Sequence, residues 1–213
     1  MKRRTFIAGL GSVAGWPLVA RAQQAERMRR VGVLMNGDAT GAEYQSYLAA
    51  FVQGLRQLGW IDGQNLRIDV RWNAGDAALA RTHAGELIGL MPDVIVAAST
   101  VNLIPVEQIA RTVPVVFVGV ADPVAQGFVA SVRRPGGNLT GFSAFEFSLG
   151  SKWLDLLKQA APSLTRVAVM FNPDTAPYSK FFIPVIEAAA PSLGVQAIAM
   201  PVRARADSGH VAA

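Results

Sequence analysis

Cysteine is absent from this 213-residue sequence, and histidine occurs only twice. Without thiols there is no disulfide framework, no thiolate metal site and no cysteine for lipid acylation of an exported chain. His83 falls in an apolar helical pattern and His210 near the C-terminus, so neither has the partner spacing of a zinc site or a Ser-His-Asp triad. No metal and no cofactor is expected from this set. Charge of one sign is also scarce once the head of the chain is set aside. The formal +5 arises from 20 Lys and Arg against 15 Asp and Glu, but Lys2, Arg3, Arg4 and Arg21 lie within the first 22 residues, which hold no acid. About +1 remains, so the basic footprint of a nucleic-acid binder is missing. No repeat or low-complexity tract occurs, and no apolar run beyond the head approaches the roughly 20 residues that cross a bilayer. Gly136-Gly137-Asn138 is a turn and not a phosphate cradle, because no helix with Lys-Ser or Lys-Thr completes it.

What is present is apolar: 51% of the residues are hydrophobic. That is enough for a sizeable core, in one large domain or two small ones. Residues 1–22 combine a basic head, a short apolar middle from Phe6 to Val19 and a small-x-small end, Ala20-Arg21-Ala22. They read as a signal peptide cleaved before Gln23. Arg3-Arg4-Thr5-Phe6-Ile7 resembles a twin-arginine signal with Lys2 in place of the usual Ser or Thr, which leaves Tat and Sec export both open. A membrane anchor is disfavoured, since the middle is short and interrupted by Gly9, Gly11 and Gly15.

Past the head, strand and helix signals alternate. Val31 to Met35 reads as a strand, and the apolar positions Tyr44, Leu48, Phe51, Leu55 and Leu58 mark a helix with one buried stripe, stopped by Gly59. An outer strand is expected over 66–72, a helix over 77–90, a strand over 94–98 and a helix over 101–111. Val115 to Val120 is an unbroken β-branched and aromatic run, suited to a strand covered on both faces. Asp122 with Pro123 predicts the start of a short helix. Further on, a helix over 149–160, a strand over 167–171, a helix over 178–189 and a strand over 195–202 are expected. Such order predicts α/β architecture with right-handed βαβ units and a parallel sheet. The organisation expected is a signal peptide at 1–22, a first α/β lobe at 28–143, a partial second lobe at 144–202 and a tail at 203–213.

In open α/β sheets ligands gather beyond the C-terminal ends of the strands. Asn36, Ser99, Thr100, Asp122 and Asn172 all fall there. Ser99 and Thr100 open a helix, whose free N–H groups can hold a carboxylate; ordinary N-capping uses the same geometry. Asp122 can meet a ligand ammonium or cap its own helix. Asn36 and Asp38 flank Gly37, as a turn also would. Phe142, Phe145 and Tyr178 are candidate rings for stacking on a ligand, with core or hinge packing as the alternative for the phenylalanines.

The run from Pro114 to Gly141, with its D-P-V-A-x-G-F-V-A-S and R-P-G-G-N-L-T-G segments, resembles the ABC transporter substrate-binding proteins of the tryptophan and tyrosine type. The likeness extends from the signal segment through Ala50 to Trp60 and on to Val167 to Pro173. It implies a type I periplasmic binding protein fold, with a flavodoxin-like lobe and here an incomplete second one. It also implies an exported, periplasmic, monomeric protein that binds an amino-acid-like small molecule and presents it to an ABC permease in the inner membrane. Members of that family continue beyond residue 213, so weak binding or none is expected. Two other classes stay open: a secreted α/β enzyme, which would need a convergent nucleophile, base or metal set, and an extracytoplasmic sensor domain.

Overall fold

A computed structural model describes residues 27–203. The expected signal peptide and all but the first residue of the expected tail lie outside the described residues. Seven strands and five α-helices alternate in it: β1 (Arg29–Met35), α1 (Ala42–Gln57), β2 (Leu66–Trp72), α2 (Ala77–Gly89), β3 (Val94–Ala98), α3 (Thr100–Ile109), β4 (Val115–Val120), β5 (Leu139–Ser143), α4 (Leu149–Ala160), β6 (Arg166–Phe171), α5 (Ser179–Ala189) and β7 (Gln196–Pro201), with a 3₁₀ turn at Ala190–Leu193 before β7. The first five strands make one parallel sheet in the order β2-β1-β3-β4-β5, and β6 and β7 make a separate parallel pair.

Period-2 alternation assigns each strand residue to a face. On one face Leu34, Ile95, Ala97, Val115 and Phe117 form a core with Ala84 and Leu87 of α2 and Leu103 and Val106 of α3. These side chains are almost wholly removed from water, each large one contributing about 1.5–3 kcal/mol of burial. On the opposite face Val31, Val33 and Met35 pack under Tyr44, Phe51 and Leu55 of α1. The second pair is backed on one face by Leu154 of α4 and Ile186 of α5.

Local signals explain the helix ends. The Asp76 carboxylate accepts the N–H groups of Ala78 and Leu79 and so caps α2. At the end of α1, Gly59 adopts φ +85°, Trp60 N–H donates to Leu55 O and Gly59 N–H to Arg56 O, which is a Schellman stop.

Three expectations need correction. No helix follows Asp122: residues 123–127 are successive turns. Asp122 itself has φ +32°, Gly127 has φ +82°, and the N–H groups of Phe128 and Val129 both return to Pro123 O, so the chain closes into a loop instead of propagating a helix. Strand β4 is not covered on both faces, because Val118 is 42% exposed. The stripe of α1 is only half-buried: no residue of that helix is fully buried, and Leu58 is exposed.

Candidate functional site

Because the strands of each sheet run parallel, their C-terminal ends lie on one edge of that sheet. The turns at those ends carry Asn36 after β1, Ser99 after β3, Asp122 after β4 and Asn172 after β6. The two edges approach each other: a Cβ placed on Gly75, after β2, would lie 3.4 Å from Cγ2 of Thr175, after β6.

Ser99 is the most unusual of these residues. Its backbone, at φ 86° and ψ 162°, occupies a region open essentially to glycine alone, and such strain costs about 1–3 kcal/mol. It is held there by its N–H, which donates to Val118 O at 2.8 Å, and by Leu103 N–H, which donates to its carbonyl at 3.1 Å. The Ser99 hydroxyl does not cap α3, and its buried Oγ has no hydrogen-bond partner among the described residues. The helix therefore starts without a side-chain cap, leaving its first N–H groups and the positive end of its dipole at the sheet edge. Asn36 Oδ1 is likewise buried without a partner. Asn36 and Ser99 line the same cavity, about 370 Å³ in volume, whose body is apolar.

The residues around this pair have structural work. Asp38 Oδ1 accepts both the N–H (2.7 Å) and the hydroxyl (2.5 Å) of Thr40. Those two bonds hold its carboxyl below the usual carboxylate range, and they make it a turn former. Gly37 is required for close packing, because a Cβ there would sit 2.0 Å from the Tyr44 ring. Thr100 is buried, and its Oγ1 accepts the Ala121 N–H at 3.3 Å, which ties α3 to the end of β4.

Asp122 has both oxygens engaged. Oδ1 accepts the Ala125 N–H and Oδ2 the Phe147 N–H, each at 3.0 Å, while the Asp122 N–H donates to Phe145 O at 2.8 Å. It latches the end of β4 to the segment that leads into α4. Asp122 and Phe145 line a second, more open cavity of about 710 Å³, apart from the one that holds Asn36 and Ser99.

Phe145 stands in an aromatic cluster, its ring 5.6 Å from Tyr178, 5.7 Å from Phe182 and 5.9 Å from Trp153. Phe147 stacks nearly parallel on Phe181 at 5.8 Å. Burial raises the Tyr178 phenol above its usual pKa. Phe142, by contrast, is 71% exposed and joins none of these contacts. Asn172 Oδ1 accepts the Asp174 N–H at 2.9 Å in an Asx turn.

The structure thus brings Asn36 and Ser99 together, and separately Phe145 and Tyr178. Sequence reading missed Asn102. Fully buried, its Nδ2 donates to Leu34 O at 2.9 Å and Ala98 O at 2.7 Å, bracing the ends of β1 and β3 where Asn36 and Ser99 emerge. The available signal was an amide within the otherwise apolar start of α3. The Phe145–Phe182 cluster had no local signal.

Comparison with known proteins places this geometry in context. The family described as ABC transporter substrate binding protein matches residues 30–211. A tyrosine-binding protein of Clostridioides difficile is 30% identical over 122 residues, which are 57% of this chain and 35% of that protein. Among solved structures, a conserved domain protein from Vibrio cholerae superposes with a TM-score of 0.70 at 25% identity, over 83% of this chain and 58% of the other. An ABC domain from Streptococcus pneumoniae, solved in complex with L-Trp, gives 0.68 at 22% identity, over 82% and 57%. The chain therefore spans about a third of the matched tyrosine-binding protein and under two thirds of these solved relatives. The fold they share is that of type I periplasmic binding proteins. No helix among the described residues is long and apolar enough to cross a membrane.

Proposed function

This chain belongs to the ABC transporter substrate-binding proteins, and from that footing we propose that it captures an amino-acid-like ligand at the sheet edge and presents it to an ABC permease in the inner membrane. The carrying observation is Ser99, strained, with an unpartnered Oγ at the uncapped start of α3. A ligand carboxylate seated there accepts from the Ser99 hydroxyl and from the first N–H groups of α3, where the helix dipole favours negative charge. Asn36 Oδ1, buried in the same cavity without a partner, supplies an acceptor for the ligand's ammonium group. Asn172 and Tyr178 stand beside the facing edge and close over the ligand from the second sheet. The tyrosine-binding relative supports an aromatic amino acid as the ligand. The protein works in the periplasm, reached through the signal segment at residues 1–22.

Thermal denaturation with L-tyrosine, comparing the parent with Ser99→Ala, tests this reading. Ligand that binds only the folded state raises the unfolding midpoint by mass action. The parent should be stabilised, and Ser99→Ala should require roughly tenfold more ligand for the same shift, the loss of one charge-assisted hydrogen bond. Equal shifts in both proteins would remove Ser99 from the site.

A further inference from the structure

The N-terminal edge of the five-stranded sheet, opposite the edge that carries Asn36 and Ser99, gathers arginine. Arg27, Arg29 and Arg30 lead into β1, and Arg67, at the start of β2, is the register partner of Arg30. Like charges set side by side on neighbouring strands repel, so they need acids among them. Asp69 lies 3.2 Å from Arg30 Nε and 3.3 Å from Arg67 Nε. Asp93 pairs with Arg29 at 2.9 Å and more loosely with Arg27 at 3.6 Å. These two carboxylates lie deeper than the groups they serve: the side chains of Asp69 and Asp93 are 13% and 22% exposed, those of Arg67 and Arg27 58% and 70%. Asp62, in the adjoining depression, is turned to the Ile68 N–H at 2.9 Å. Water at this edge therefore meets an excess of guanidinium. Met28 and Met91 line the same cavity, about 340 Å³ in volume. Met91 follows Leu90, the last residue of the α2 stop, and has φ 53°. Glycine or asparagine ordinarily takes that left-handed position at a helix end. Here it holds a long thioether side chain that is 82% exposed and adds almost nothing to the core.

We infer that this edge docks on a membrane surface bearing anionic phospholipids, with the guanidinium groups on the lipid phosphates and the two methionines between the headgroups. Guanidinium binds phosphate bidentately, and a bilayer offers many phosphates in one plane to an edge that offers several guanidinium groups. An acidic polypeptide would also meet the arginines but leave both thioethers in water, whereas apolar side chains enter the headgroup region of a bilayer. With no cysteine to carry a lipid, the protein is held at a membrane by this contact and not by an acyl chain. The surface lies at the far edge of the sheet, so the cavity lined by Asn36 and Ser99 stays open to its ligand. The inference does not rest on the ligand proposed above.

Vesicle co-sedimentation tests it, using the exported form that begins at Gln23, so that Lys2, Arg3 and Arg4 do not themselves bind lipid; every described residue is retained. Vesicles of phosphatidylcholine mixed with phosphatidylglycerol should bind the protein, pure phosphatidylcholine should not, and added salt should weaken the binding. Arg27→Gln combined with Arg67→Gln should weaken it roughly 25-fold, about fivefold for each charge near the surface. Met91→Asn should weaken it at least roughly threefold. Its unfolding midpoint should be unchanged or raised, since asparagine suits φ 53°. Equal binding to both kinds of vesicle, or parent-like binding by the arginine variant, would overturn the inference. Parent-like binding by Met91→Asn would overturn it too, and would point to an acidic polypeptide. Displacement by inorganic phosphate beyond that of chloride at matched ionic strength would make this a site for a free anion, and displacement by L-tyrosine would put the contact at the ligand edge; either result contradicts a lipid surface.

Discussion

At the residue scale, a serine placed where only glycine is comfortable has a consequence that separates stability from function. Replacing Ser99 by glycine removes the steric cost of φ 86° and ψ 162° while keeping the backbone hydrogen bonds to Val118 and Leu103. Ser99→Gly should therefore stabilise the fold by about 1–3 kcal/mol, less the modest entropic cost of glycine, and weaken ligand binding. Chemical denaturation checks the first expectation, and a lower unfolding free energy in the variant would show that the Oγ is held by the protein itself. The strain could not be read beforehand: serine before a helix signals an N-cap, and nothing local marks one whose hydroxyl turns away from the helix. Asp122 misled in another way: the adjacent proline signalled a helix cap, but no helix follows, and its carboxylate instead accepts the Ala125 N–H within a turn and the Phe147 N–H, 25 residues on.

At the scale of elements, polar struts decide how firmly the sheet edges are held. Asn102→Leu deletes the amide that donates to Leu34 O and Ala98 O near the ends of β1 and β3. It should cost about 1–3 kcal/mol, measurable by urea denaturation, and lower ligand affinity by loosening Asn36 and Ser99; an unchanged midpoint would mean water replaces the amide. At the opposite edge, Asp93 accepts the Arg30 N–H at 2.9 Å and pairs with Arg29 at 2.9 Å. The Arg30 N–H, followed by the guanidinium groups of Arg29 and Arg27, holds its carboxyl below the usual range. A lowered native pKa stabilises the fold above the ordinary aspartate value, about 3.9, and that stability is lost as pH falls through the lowered one. Asp93→Asn should thus melt below the parent at pH 7, with the gap starting to shrink near pH 4 and closing only below the lowered pKa; a gap that persists in stronger acid would contradict the ion-pair origin. The strands and helices themselves were readable because apolar periodicity survives in a single sequence, as in Val94–Ala98 or Ala77–Gly89. The loop after Asp122 was not, because an acidic residue before proline opens turns and helices alike.

At the scale of the whole molecule, two parallel sheets present their strand ends to each other, near enough that a Cβ placed on Gly75 would lie 3.4 Å from Thr175 Cγ2. The architecture was legible from the alternation of elements, whereas the grouping of the site was not. Asn36 and Ser99 are 63 positions apart, and only the pairing of β1 with β3 makes them neighbours. The aromatic rings between Phe145 and Phe182 pack on one another across 37 positions and brace the passage between sheets, while half-buried Phe145 also borders the cavity of about 710 Å³. If the ligand sits as proposed, at Ser99 and the start of α3, recognition should depend on its carboxylate more than on its ring. Calorimetry with the parent protein, titrated with L-tyrosine and with tyramine, its analogue lacking only the carboxylate, tests that dependence most directly. Tyrosine should bind at least roughly tenfold more tightly than tyramine; equal affinities, or binding of tyramine alone, would contradict a carboxylate seat at Ser99 and the start of α3.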